Sequence, residues 1–295
     1  MARNPAAQTA FGPMVLAAVE HQERPGRRLV DDDLAASFLP VGLRALVSAT
    51  RWAPLRRVMA AISDHNTPGM WANMACRKRY ADDNLMAALG DVDAVVVLGA
   101  GFDTRGARLA RHSAVPVFEV DQPVNIERKR AVLNRVFGTP PPSMHLVAVD
   151  FEHDDLMATL AAQGYDRNAR TFFIWEGVTQ YLTAEAVSAT FEQLRSTPAG
   201  SRLDFTYVQC DFIEGRNMYG GEGLYRMFRV NSQVWKSGFG PDEVAGYLEG
   251  YGWRLLDQMG PEQVLDRYVR PTGRALGTSD LEWSALAERS KPQAP

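Results

Sequence analysis

Residues 95–105 read VVVLGAGFDTR. Three β-branched residues and a leucine form a short unbroken apolar run, the pattern of a parallel strand buried on both faces. Gly99 and Gly101 follow at once, and GARLAR (106–111) can start a helix. Strand, glycine turn and helix make a cradle in which backbone can approach a ligand closely, because glycine carries no Cβ. The same pattern also serves plain chain reversal. Thr104 stands where a dinucleotide fingerprint has its third glycine, and no Gly-Lys-Ser/Thr ending makes a phosphate loop.

A glycine turn without a pyrophosphate signature suggests a nucleoside ligand lacking phosphates, such as S-adenosylmethionine (SAM). The next apolar run, VPVFEVD (115–121), ends in Glu119 and Asp121, the latter 20 residues after Gly101. A carboxylate at the end of the second strand of a βαβ unit can accept both ribose hydroxyls of an adenosine. A solvated strand end is the alternative reading. HLVAVDF (145–151) then places Asp150 after its apolar residues, and TFFIWEG (171–177) does the same with Glu176. Four strands thus end in glycine or acid, at the carboxyl edge where open α/β sheets bind ligands. SRLDFTYVQ (201–209) reads as a fifth strand, and WRLLDQM (253–259) with VLDRYVR (264–270) as a closing antiparallel pair.

These blocks resemble the leucine carboxyl methyltransferase family, most closely its bacterial branch of SAM-dependent O-methyltransferases. RKRYADD (77–83), VVVLGAGFDTR, VFEVDQPVNIERKR (117–130), VAVDF and WEGVTQYL (175–182) stand in family order and spacing over roughly residues 70–190. The resemblance implies a class I SAM-dependent methyltransferase, an α/β fold with a Rossmann-like seven-stranded sheet, N-terminal helices and a lid insertion. It implies that Arg77 contacts the SAM carboxylate, that Gly99 and Gly101 form the cofactor turn and that Asp121 holds the ribose. Asp150 and Phe151 fall beside the adenine, where the family more often has leucine after the acid, and Glu176 is the acid of the fourth strand. A lysine that some members use near the N-terminus has no clear counterpart; Arg24, Arg27 and Arg28 stand in that region instead.

With 295 residues, 46% hydrophobic, the chain suits one domain with a sizeable core. Its organisation reads as an N-terminal helical part (1–90), a SAM-binding core (91–209), a lid (210–240) and the C-terminal part of the sheet (241–295). Helical patterns fall at 7–22, at 41–62 with a break at Pro54, and at 70–89, and Thr183 caps a helix after strand four. The net charge of −3 and the lack of a basic stretch interleaved with aromatics argue against nucleic acid. ERKR (127–130) reads as a solvated helix face. MARNPAAQTAFGPM shows no signal-peptide pattern, and no run approaches a membrane span, so no membrane partner is expected. Cys76 and Cys210 read as reduced thiols of a cytoplasmic protein, and five scattered histidines offer no metal site. The tail from Thr278 reads as polar, with its end, SKPQAP, frayed.

Residues 210–240 contain Phe212, Met218, Tyr219, Tyr225, Met227, Phe228, Trp235 and Phe239, with Gly220, Gly221 and Gly223 as hinges. So long a loop is read as a lid over the acceptor; a helical extension packed on the core is the alternative. A carboxylate acceptor needs no base, whereas a phenol would gain from one. No histidine or lysine stands at a motif position as an obligatory base, and His153 fits a helix N-terminus as well as that role. The reading is therefore O-methylation of a small-molecule carboxylate, polyketide-like or another secondary metabolite, with a phenolic hydroxyl as alternative. Tyr181, Tyr225, Arg229 and Arg270 could orient an anionic acceptor, although each also suits a structural role, and no catalytic residue is assigned. A NAD-linked oxidoreductase and a non-catalytic SAM binder are the rival classes.

Overall fold

The computed structural model describes residues 11–291. The signal-peptide reading and the last residues of the tail lie largely outside them. Among the described residues, five α-helices precede the sheet: α1 (Phe11–Glu20), α2 (Ala35–Phe38), α3 (Val41–Ala49), α4 (Ala53–Asn66) and α5 (Met70–Ala88). β1 (Ala94–Leu98) leads through α6 (Arg105–Leu109) to β2 (Val117–Asp121), then α7 (Pro123–Phe137) and β3 (Met144–Ala148). α8 (Leu156–Ala162), β4 (Thr171–Trp175), α9 (Ala184–Leu194) and β5 (Arg202–Val208) follow. The rest comprises α10 (Cys210–Ile213), α11 (Glu222–Tyr225), α12 (Val244–Gly250), β6 (Trp253–Met259), α13 (Pro261–Val264) and β7 (Glu282–Arg289).

The seven strands lie in the order β3-β2-β1-β4-β5-β7-β6, with β7 antiparallel to both its neighbours. β1, β2 and β4 sit inside the sheet and every residue of each is buried, as continuous apolar runs require. β3 and β6 are the edges, and their residues are partly exposed. Thr183 caps α9 as expected, its hydroxyl accepting from the Ala186 N–H at 3.2 Å.

The closing strand is not where the sequence suggested. VLDRYVR (264–270) is helical: α13 runs on into a wide π-type turn at Leu265–Val269. The reason is local. Pro261 pre-sets the first turn, and the Gln263 side chain accepts from the Gly260 N–H at 3.0 Å. Val264 and Val269 then fall on one buried face. The strand that pairs with β6 is instead β7, inside the segment read as a polar tail. Its Ser284, Ala285 and Ala287 are buried between β5 and β6.

Lys129 also departs from the expected solvated face. Glu127, Arg128 and Arg130 are exposed, but Lys129 is buried, its Nζ 2.7 Å from Glu119 Oε2. Nζ also donates to the Ala100 carbonyl at 3.3 Å, which braces the glycine turn from below. The remaining contact is tight: a Cβ on Gly106, the second residue of α6, would stand 2.5 Å from Glu119 Oε1, so glycine makes room there for the Glu119–Lys129 pair. Cys76 and Cys210 are free, and burial pushes the Cys76 thiol up, which favours the inert protonated form.

Asp204 lies in the middle of β5, fully buried, and accepts from Asn84 Nδ2 at 2.8 Å. Burial raises its pKa to about 8, against the lowering effect of the Asn84 hydrogen bond and Arg105. The unfolded chain ionises this group near about pH 4. Its contribution to stability is therefore full below that pH and is lost as pH rises to about 8. Asp204→Asn keeps the shape without the charge. Its urea stability should match wild type in mild acid and exceed it at neutral pH, by on the order of several kcal/mol. Equal stability differences at both pH values would remove this account.

Candidate active site

The carboxyl ends of the strands open into a cavity of about 690 Å³. Every cofactor residue expected from the sequence borders it: Arg77, Gly99, Gly101, Asp121, Asp150, Phe151 and Glu176. Gly99 turns with φ +68°, and a Cβ there would stand 2.3 Å from Val178 Cγ2, so the turn admits only glycine. Asp121 is held by three donors: the Gly101 N–H at 2.6 Å, the Gln122 N–H at 2.7 Å and Asn125 Nδ2 at 2.8 Å. The first of these joins the second-strand acid directly to the glycine turn. Glu119, two residues earlier, is committed to Lys129 instead, so the two alternating acids have different roles.

Beside the turn lies a buried charge network. Arg105, the last residue of the opening stretch, is its hub. Its Nε donates to Asp82 Oδ1 at 2.5 Å, its Nη2 stands 2.6 Å from Glu176 Oε2, and its Nη1 pairs with Asp103. Burial pushes the Glu176 carboxyl up, but Arg105, Lys78 and Arg77 outweigh it and hold the group down at about 2. Asp103 is lowered as well, by Arg105 and Lys78 against burial. Both acids are carboxylates at neutral pH.

Arg77 is engaged on two sides. Nε donates to Glu176 Oε1 at 3.0 Å and Nη1 to both oxygens of Glu282, at 2.5 and 2.6 Å. Local partners such as Asp82 and Asp83 would be the simple expectation for this arginine. Asp82 pairs with Arg105 and Arg108, however, and Asp83 with Arg79. Burial disfavours the Arg77 charge, but Glu282 and Glu176 more than offset it and raise its pKa.

The other half of the cavity is mostly apolar. Met70 and Met74 of α5, Val208 at the end of β5, and Leu224, Phe228 and Trp235 from residues 210–240 line it. Those residues are part helix and part loop: α11 continues into a wide turn at Arg226–Asn231, and Phe228 stacks on Trp235 with centroids 4.8 Å apart. Arg229 closes the segment on itself, donating to the carbonyls of Ile213 at 3.0 Å and Trp235 at 2.6 Å. Lys236 reaches Glu152 at 2.6 Å across the mouth.

Of the acceptor candidates, Tyr181 borders the cavity. Tyr225 packs edge-on against Phe212, Arg229 serves the backbone of its own segment, and the exposed Arg270 pairs with Asp266; none of these three is a lining residue. His153 is exposed and bonded to Asp150 at 3.0 Å. Arg27 and Arg28 bind Thr272 O and Asp31, away from the cavity. Among the charged lining residues, Lys78, Asp103, Glu152, Lys236 and Glu282 escaped the sequence reading. Lys78 and Asp103 lie inside the quoted blocks and were legible there. Glu282 had one signal, the alternating apolar pattern of LEWSALAER.

Among the described residues no group of three or more His, Cys, Asp or Glu could hold a metal, and no helix is long and apolar enough to cross a membrane.

A seven-stranded sheet with an antiparallel β7 and a ligand cavity over its carboxyl edge is the architecture of class I SAM-dependent methyltransferases. Consistent with that, the chain superposes on a "putative sarcosine dimethylglycine methyltransferase" from Galdieria sulphuraria with a TM-score of 0.50. That match covers 75% of this chain and 88% of the other at 14% identity. The leucine carboxyl methyltransferase family profile matches residues 10–195. A "putative S-adenosyl-L-methionine-dependent methyltransferase" of Mycolicibacterium paratuberculosis is 33% identical over 266 residues, 84% of this chain and 83% of the relative. A protein of the same name from Mycobacterium tuberculosis is 30% identical over 286 residues, 90% of each chain. The chain belongs to the leucine carboxyl methyltransferase family, and it is a SAM-dependent methyltransferase.

Proposed function

We propose that the enzyme transfers the SAM methyl group to an oxygen of a small, largely apolar molecule, and that this oxygen belongs to a carboxylate. The observation that carries the reading is the two-part cavity: a charged half at the strand ends and an apolar half roofed by residues 210–240. Its volume, about 690 Å³, lies within the range of about 300–1,000 Å³ usual for ligand pockets. The donor set suits SAM. Arg77 offers a planar fork to the methionine carboxylate, Glu176 a carboxylate near the amino group, Asp121 a pre-oriented acceptor for the ribose hydroxyls, and Asp150 with Phe151 a border for the adenine.

When bound, SAM supplies an electrophilic methyl on a sulfonium. The chain's own contribution is positioning, which can be worth roughly 7–11 kcal/mol when both reactants are aligned. Arg77 fixes the methionine end of the cofactor and Asp121 its ribose. Residues 210–240 act as a lid that excludes water from the acceptor half. Among the described residues no histidine lines the cavity, which favours an acceptor that is already ionised near neutral pH. One observation favours a phenolic acceptor instead. Glu282 lines the cavity, and a cofactor carboxylate on Arg77 would release it to act as a base.

Mild alkali distinguishes the two products. Methyl-labelled SAM and a metabolite extract should give a product whose label is released as methanol, because an ester hydrolyses and an aryl methyl ether does not. Alkali-stable label would select the phenolic reading. For the cofactor, Asp121→Ala should weaken SAM binding in calorimetry by roughly ten- to hundredfold, the loss of a charge-assisted pair worth about 1.5–3 kcal/mol. Unchanged affinity would exclude the ribose role.

A further inference from the structure

Helices α3 and α4 have one anchored face and one bare face. On the anchored side Val47 and Ala60 are buried, and Arg56 donates to Glu23 at 2.8 Å and to the Thr50 carbonyl at 2.7 Å. On the other side, Val41, Ala45 and Ala49 recur at helical spacing along α3, and Val58, Ala61 and Ile62 along α4, all at least partly exposed. Trp52 stands in the turn between them, 67% exposed, with Val41 at 72% and Ile62 at 58%. Scattered surface apolar residues need no explanation, but exposed apolar residues at helical spacing on two successive helices, with a bare indole between them, do.

The charges on this surface have one sign. Residues 41–66 contain four arginines, of which Arg56 is turned inward to Glu23, and a single carboxylate, Asp64, in a chain whose net charge is −3. Arg51 and Arg57 are exposed beside the stripes, whereas Asp64 is turned to accept from the Gly69 N–H at 2.7 Å. A second copy docking through this face would set arginines against arginines with no carboxylate to match them. A surface of anionic headgroups supplies the missing sign. Short amphipathic helices with apolar and indole side chains on one face and arginines at its border lie at lipid interfaces in this way.

We propose that the α3–α4 segment docks this enzyme peripherally on an anionic lipid bilayer, with Trp52, Val58 and Ile62 entering the interface and Arg51 and Arg57 meeting the headgroups. This departs from the expectation of no membrane contact, which rested on the lack of a spanning run. The chain that follows the segment leads to the cavity. From α4 the chain passes through Pro68, which lies against Gly220, and into Met70, a lining residue.

The test is vesicle flotation of the full chain, with phosphatidylcholine alone and with phosphatidylcholine–phosphatidylglycerol. Wild type should float with the anionic vesicles and less so as salt is raised. Arg51→Gln with Arg57→Gln should weaken binding on the order of thirtyfold, at about 1 kcal/mol per arginine. Trp52→Ser with Val58→Ser and Ile62→Ser should abolish it while circular dichroism stays unchanged. Brominated lipid should quench wild-type fluorescence and spare that of Trp52→Phe, a readout that needs no destabilised variant. Wild type that stays unbound by anionic vesicles, or a triple-serine variant that floats equally well, would overturn the proposal. So would a dimer in sedimentation that the triple variant dissociates, since a second copy would then be the occupant.

Discussion

Shortening residues 214–236 to a brief polar linker should abolish methyl transfer while SAM affinity stays within about tenfold of wild type. The asymmetry arises from where the contacts originate. The groups proposed to hold the cofactor stand on strand ends and α5, outside the shortened segment. The apolar half is different: Leu224, Phe228 and Trp235 form much of its wall, and their loss would open the acceptor to water. Lys236 adds a latch, since its pair with Glu152 joins the segment to the loop after β3. That pair is about one-third exposed on each side and worth little alone, so the segment should open readily without ligand. Hydrogen exchange of Leu224–Trp235 should slow when the acceptor analogue and S-adenosylhomocysteine are both bound. Full activity of the shortened enzyme, or equal protection with and without ligands, would leave residues 210–240 as a structural extension.

Arg105→Met should destabilise the protein by about 3–5 kcal/mol, a loss expected when one partner of a buried ion network is removed. Three carboxylates, on Asp82, Asp103 and Glu176, share this one guanidinium, and only Asp82 and Glu176 have a second arginine, Arg108 and Arg77. Truncation takes from Asp103 and Glu176 their closest cation, leaving Asp103 with Lys78 at 3.9 Å and Glu176 with Arg77 at 3.0 Å and Lys78 at 3.9 Å. The pH dependence has a defined sign. Glu176 and Asp103 titrate below their unfolded values, so the network contributes stability above about pH 4 that is lost as pH falls toward about 2. In the variant this acid loss should shrink, because its main cause is gone. Chemical denaturation at neutral and acid pH measures both effects. A variant within about 1 kcal/mol of wild type at neutral pH would deny Arg105 the role of hub.

The charged half of the site was legible because its chemistry is local. Gly99, Gly101, Asp121, Asp150 and Glu176 each come directly after a run of apolar residues, and a parallel strand delivers the residues at its end to the carboxyl edge. Periodicity and turn chemistry locate such residues without tertiary information. The turn's brace was not visible in that way. ERKR reads as a solvated helix face by composition, and nothing in the neighbouring residues says that Lys129 alone turns inward to Glu119.

The sequence by itself determined the parallel part of the sheet, the glycine turn and the acids along its edge, since each is encoded within a strand and its next few residues. Only the tertiary structure decided the last strand and what it brings. β7 runs antiparallel, with Glu282 opposite Val208, so its first residue rather than its last reaches the ligand edge. Glu282 thereby meets Arg77, a partner 205 residues away in the chain. Tertiary packing likewise decided which arginines serve the cavity. Arg229 and Arg270 are engaged by their own surroundings, whereas Arg105, inconspicuous in its motif, is buried among three acids. A side chain's charge is written in the sequence. Which opposite charges share its low-dielectric surroundings depends on contacts between distant segments, and those exist only once the chain has folded.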